Sequence, residues 1–149
     1  MTNFNRRGAA ALAAVLLVAS VTRAQTPAHD TSRFFGTWRL VSDTTTGIMI
    51  YDSLGNMAAQ VMPNRLRRKY AAAEPTPEEA KDAITGYLAY FGTYSVDERA
   101  RIVTHHRKGS INPGQVGDEV VRAYVFESND RLVLTPTGST NKIVWERAR

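Results

Sequence analysis

Phe35-Gly36-Thr37-Trp38-Arg39-Leu40-Val41 decides the fold, because a counterpart to it, Val144-Trp145-Glu146-Arg147, stands at the other end of the chain. The first run sets a glycine two residues before a large aromatic, where a strand begins. The second is equally short, apolar and strand-like. A first strand and a last strand that pair with each other imply a sheet closed on itself, and closure removes the unpaired edges that an open sheet exposes.

The chain between these ends reads as short strands separated by turns. Strand-like runs cover residues 34–42, 48–51, 57–62, 88–96, 101–107, 119–127, 131–135 and 142–147. Asp52-Ser53-Leu54-Gly55-Asn56, Asp97-Glu98-Arg99-Ala100, Asn129-Asp130 and residues 137–141 supply turn chemistry between them. One helix interrupts the series. Thr76 suits its N-cap, Pro77 its first position, and Glu79 completes a capping box. Ala80, Ala83, Ile84, Tyr87 and Leu88 fall at three- and four-residue steps on one face. The expected fold is all-β: an eight-stranded, up-and-down antiparallel barrel with one short helix. A barrel of that size either fills with side chains or holds one small ligand.

Residues 1–24 read as a signal peptide. Arg6-Arg7 precede a charge-free apolar run at 8–21, and Thr22-Arg23-Ala24 gives a small-x-small cleavage site before Gln25. The paired arginines fit either general or twin-arginine export. Residues 25–33 then form a polar tether, and residues 34–149 form the barrel domain. The 149-residue chain carries 19 Lys+Arg against 14 Asp+Glu, a net charge of +5. Arg6, Arg7 and Arg23 lie in the leader, so the mature chain carries only +2. Nucleic-acid binding thereby loses its compositional support. Cysteine is absent, so no disulfide staples this exported domain and its core alone must hold it. The expected location is periplasmic or secreted, with no stable membrane insertion once the signal is removed.

Six ordered motifs span the mature chain: Gly36-Thr37-Trp38, Gly55-Asn56-Met57, Tyr90-Phe91-Gly92-Thr93-Tyr94, Val103-Thr104-His105-His106, Arg122 and Trp145-Glu146-Arg147. Together they resemble the bacterial and fungal lipocalin-like domain family, a calycin-type barrel. The resemblance implies a cup for a small, mostly apolar molecule, and related barrels act as cyclases or isomerases. It also implies a structural closure in which Arg147 packs over Trp38 beside Gly36 at the closed end.

Strand alternation sorts the remaining chemistry. If the faces bearing Tyr90, His105 and Arg122 turn inward, the cup holds a polar patch of Tyr90, Tyr94, His105, Arg122 and Tyr124. Arg122 then suits a carboxylate or enolate, and His105 suits acid/base work near neutral pH. His105 and His106 are adjacent on a strand and point to opposite faces, so they make a poor metal pair, and no metal or other cofactor is expected. A haem held by one histidine is a remoter option. No nucleophile elbow, phosphate loop or dinucleotide fingerprint is present. The first expectation is an exported protein binding a small hydrophobic or amphipathic molecule. The alternative is an isomerase or cyclase with His105 as acid/base and Arg122 as oxyanion stabiliser. A filled barrel that binds no small molecule is the third. The leader yields a direct check: protein recovered from the host's envelope or medium should have a mass beginning at Gln25, and a mass beginning at Met1 would refute cleavage.

Overall fold

The computed structural model describes residues 29–149, so the stretch read as a signal peptide and residues 25–28 of the expected tether lie outside the described residues, while the rest of that tether is no loose link, because Asp30–Phe34 fold into a helical turn. The elements in chain order are α1 (Asp30–Phe34), β1 (Gly36–Leu40), β2 (Thr45–Tyr51), β3 (Asn56–Pro63), α2 (Pro77–Ile84), β4 (Leu88–Asp97), β5 (Ile102–Ser110), β6 (Glu119–Ser128), β7 (Arg131–Pro136) and β8 (Ile143–Arg147), with one 3-10 turn at Pro113–Gln115. Each strand pairs antiparallel with the next, and the sheet closes into an eight-stranded barrel. Closure is made by the two runs that suggested it: Trp38 faces Arg147, Arg39 faces Glu146, and Leu40 faces Trp145 across β1 and β8.

The two ends of the barrel differ. At one end the connections are short, and α1 lies beneath them. Phe34, the last residue of α1, is fully buried and meets Tyr51, Tyr124 and Phe126 edge-on at ring distances of 5.2, 5.0 and 4.9 Å. Asp30 anchors the helix by accepting from the Tyr124 hydroxyl at 3.0 Å and pairing with Arg33 and Arg101. Thr31 donates its backbone N–H and its hydroxyl to Glu98 in the β4–β5 turn. Thus Phe34, expected within the first strand, instead ends a helical turn that plugs the barrel, and β1 starts two residues later.

Arg147 locks this plug. Its guanidinium lies 4.3 Å from the centre of the buried Trp38 ring and donates to the carbonyls of Phe35 at 2.7 Å and Arg33 at 2.9 Å. The Trp38 indole donates to the Phe34 carbonyl at 2.7 Å. Gly36 fits here for two reasons. Its φ of +115° disfavours any side chain, and a Cβ would sit 3.0 Å from the Arg147 guanidinium.

The opposite end is open and carries the longer connections, including α2. Thr76 caps α2 as the sequence indicates: its hydroxyl accepts from the Glu79 N–H at 3.2 Å, and Glu79 accepts from the Thr76 N–H at 2.8 Å. Yet no residue of α2 is buried, and its apolar face contributes nothing to the core. Among the described residues no helix is long and apolar enough to cross a membrane.

Phe34→Ala should cost about 3–5 kcal/mol as a cavity in the plug. Gly36→Ala should cost about 1–3 kcal/mol through its backbone conformation. Urea unfolding midpoints check both.

Candidate functional site

Inward-facing residues divide the barrel into a solid half and an empty half. Toward the closed end, Phe34, Trp38, Tyr51, Tyr94 and Tyr124 form a continuous aromatic core. Toward the open end lies a cavity of about 330 Å³. Its walls are apolar, with Leu40, Met49, Val61, Leu88, Leu134 and Ile143 among them. Tyr90, Arg122 and Trp145 complete the lining, and Ser42, Thr45 and Lys142 stand at the mouth.

All five residues of the expected polar patch point inward, and they stand at different heights. Arg122 and Tyr90 reach the cavity. Tyr94 and Tyr124 belong to the solid half. The Tyr94 hydroxyl donates to the Asp52 carbonyl at 2.9 Å and that of Tyr124 to the Asp30 carboxylate, both at the closed end. Burial, reinforced by the Asp52 charge, pushes Tyr94 up to about 12. Burial and the Asp30 hydrogen bond push Tyr124 up to about 12 as well.

His105 lies between the halves, fully buried behind the cavity wall. Its Nε2 is 2.6 Å from the Tyr51 hydroxyl, and its Nδ1 is 2.8 Å from the Tyr90 hydroxyl and 3.2 Å from the Arg122 Nη1. A guanidinium can only donate. Nδ1 is therefore the acceptor, and the ring proton sits on Nε2, facing Tyr51. Burial first, then the charges of Arg122 and Arg107, hold the His105 pKa well below its ordinary value. The imidazole is thus neutral at working pH, with both nitrogens occupied by protein groups. It holds Arg122 and Tyr90 in position rather than facing the cavity. No histidine lines that cavity, which leaves a haem without an axial ligand there.

Two features were not singled out from sequence. Tyr51 completes the His105 network. The run Ile48-Met49-Ile50-Tyr51 is apolar at every position, so alternation gave no contrast to mark its inner face, although Met49 and Tyr51 are the two that turn inward. Arg107 also packs inward, its guanidinium 4.7 Å from the centre of the Tyr90 ring. His106 points outward instead, between Ser95 at 3.0 Å and Glu119 at 2.9 Å. Strand alternation sets this placement, and beside it a bulge at Phe91/Gly92 brings β4 and β5 so close that a Cβ on Gly92 would lie 1.9 Å from the His106 carbonyl oxygen.

The neutral His105 gives stability a pH dependence with a definite sign. Its folded-state pKa is depressed below 6.5, so the unfolded chain takes up the proton first as pH falls. This contribution is whole above about pH 6.5 and is lost below it, by at most about 1.4 kcal/mol per pH unit. Thermal unfolding followed from pH 7 to pH 5 should show falling stability, and His105→Gln, which keeps an acceptor for Arg122, should flatten that fall.

The sequence profile of a lipocalin-like domain matches residues 35–148. A search of curated proteins gives no significant match. The matched span runs from the residue before Gly36 to the one after Arg147, and so takes in every strand and the closure that joins first to last. The chain belongs to the lipocalin-like domain family.

Proposed function

We propose that this protein holds a small hydrophobic or amphipathic molecule inside its barrel and that it does so outside the cytoplasm, as its leader suggests. One observation carries the binding reading. A barrel filled with aromatic side chains over its closed half leaves an apolar-walled cavity of about 330 Å³ in its open half. Binding sites of this kind span about 300–1,000 Å³, so this one suits a compact ligand rather than a long lipid. Burying roughly 300 Å² of apolar ligand surface supplies about 7 kcal/mol gross. The freedom lost on binding reduces that to roughly micromolar affinity.

An isomerase or cyclase on the same scaffold is the second reading. It has one observation in its favour: Tyr90 shares the cavity wall and is hydrogen-bonded to His105. Acid/base work would then pass through Tyr90, and Tyr90→Phe should abolish turnover of any substrate found while leaving binding in place.

The neutral fluorophore N-phenyl-1-naphthylamine should brighten on addition of the protein, with a dissociation constant of roughly micromolar order. Val61→Trp, which fills the cavity from its wall, should weaken that binding at least tenfold with the barrel still folded. A folded wild-type protein that does not bind the fluorophore would overturn the cup and favour a filled barrel.

A further inference from the structure

We propose that the floor of the cup is an anion seat, in which the Arg122 guanidinium receives the carboxylate of an amphipathic ligand whose apolar body fills the cavity above. This rests on the binding reading and names the head group that the cup selects.

Arg122 is 9 % exposed and lines an otherwise apolar cavity. Among the described residues its guanidinium makes one hydrogen bond to protein, from Nη1 to the Nδ1 of His105, although it has five N–H donors. Among the described residues no carboxylate pairs with it. A buried cation is costly unless an opposite charge meets it, so this position calls for an anion that the chain itself does not supply.

The surroundings deepen the mismatch. The second inward guanidinium, Arg107, lies against Tyr90, and its paired acid is the half-exposed Asp118, 3.9 Å away. The Nε of Arg107 is buried without a partner. His105 is neutral and serves Arg122 as an acceptor, so it supplies no counter-charge. Trp145 lines the same cavity and carries a buried indole N–H without a partner. Of these, Arg122 and Trp145 line the cavity, and the unmatched groups on both are donors. A carboxylate is acceptor-only, planar and matched to the guanidinium fork, so it fits this set better than an alcohol or amide, which brings a donor of its own. Lys142 at the mouth adds positive charge along the entry path.

The test displaces N-phenyl-1-naphthylamine from the mature protein at pH 8 with decanoate, decanol and methyl decanoate, which share a chain length and differ in head group. Decanoate should compete at least tenfold better than either neutral analogue. Arg122→Met should remove that advantage, and Trp145→Phe should reduce it. Equal competition by all three would overturn the anion seat while leaving the cup intact, and a fluorophore that never binds would overturn both. Should Arg122→Met fail to fold, the wild-type ratio of decanoate to decanol still decides.

Discussion

Everything in this barrel depends on β1 finding β8, and the contact that secures the pairing is the Arg147 guanidinium over the Trp38 indole. Cation-π stacking of this kind is worth about 0.5–2 kcal/mol. Its larger effect is geometric. The same guanidinium binds the carbonyls of Arg33 and Phe35, so one side chain ties together the last strand, the first strand and the helical turn beneath them. Phe34 is thereby fixed as a plug, and the aromatic layer assembles on it. With no cysteine in the sequence, this layer and its hydrogen bonds hold the closed end together without a disulfide.

A plug at one end lets the other end stay empty. Edge-on aromatic packing around Phe34 fills the lower half densely, and the Tyr94 and Tyr124 hydroxyls are satisfied at the closed end by Asp52 and Asp30. The upper half therefore need not be filled for the domain to be stable. Between the halves lies a polar layer of Tyr51, His105, Tyr90 and Arg122. Such a layer is costly where its groups lack partners and rigid where they are satisfied. Here the His105 side is satisfied by three groups, whereas Arg122 retains donors without protein partners and faces the cavity. The layer thus divides polar groups that are satisfied within the protein below from donors that face the cavity above.

The helix contributes differently. Its capping box is complete, yet its residues remain unburied, so α2 owes its form to local chemistry and little to the core. It lies within the longest connection at the open end, close in topology to the mouth without lining the cavity. Loops around an open barrel mouth vary without disturbing the wall, which separates specificity from stability in a fold of this kind.

The eight strands, their order and the barrel's closure were legible in the sequence alone, whereas the inward direction of Tyr90, His105 and Arg122 was a condition that the closed sheet had to meet. Turn residues at short intervals mark strand ends, and a period of two residues sorts the side chains of a strand onto two faces without saying which is the inner one. The height of a side chain inside the barrel was not legible, because it depends on the register between strands, and register is a relation between distant segments. Tyr90 and Tyr94 share a strand face, yet one meets the cavity and the other the closed end. His105 was readable as lying on the face opposite His106 but not as a buried imidazole with both nitrogens occupied, since Tyr51 and Arg122 lie 54 and 17 residues away. Phe34 looked like strand because its apolar character suits one; only the space beneath the barrel, which exists once the sheet has closed, makes it a plug. The sequence by itself therefore determined that a closed barrel forms and which residues share a strand face. The tertiary structure alone decided which of them are spent on stability and which are left facing an empty cup, because that division follows from the closed sheet's geometry and not from any local run of residues.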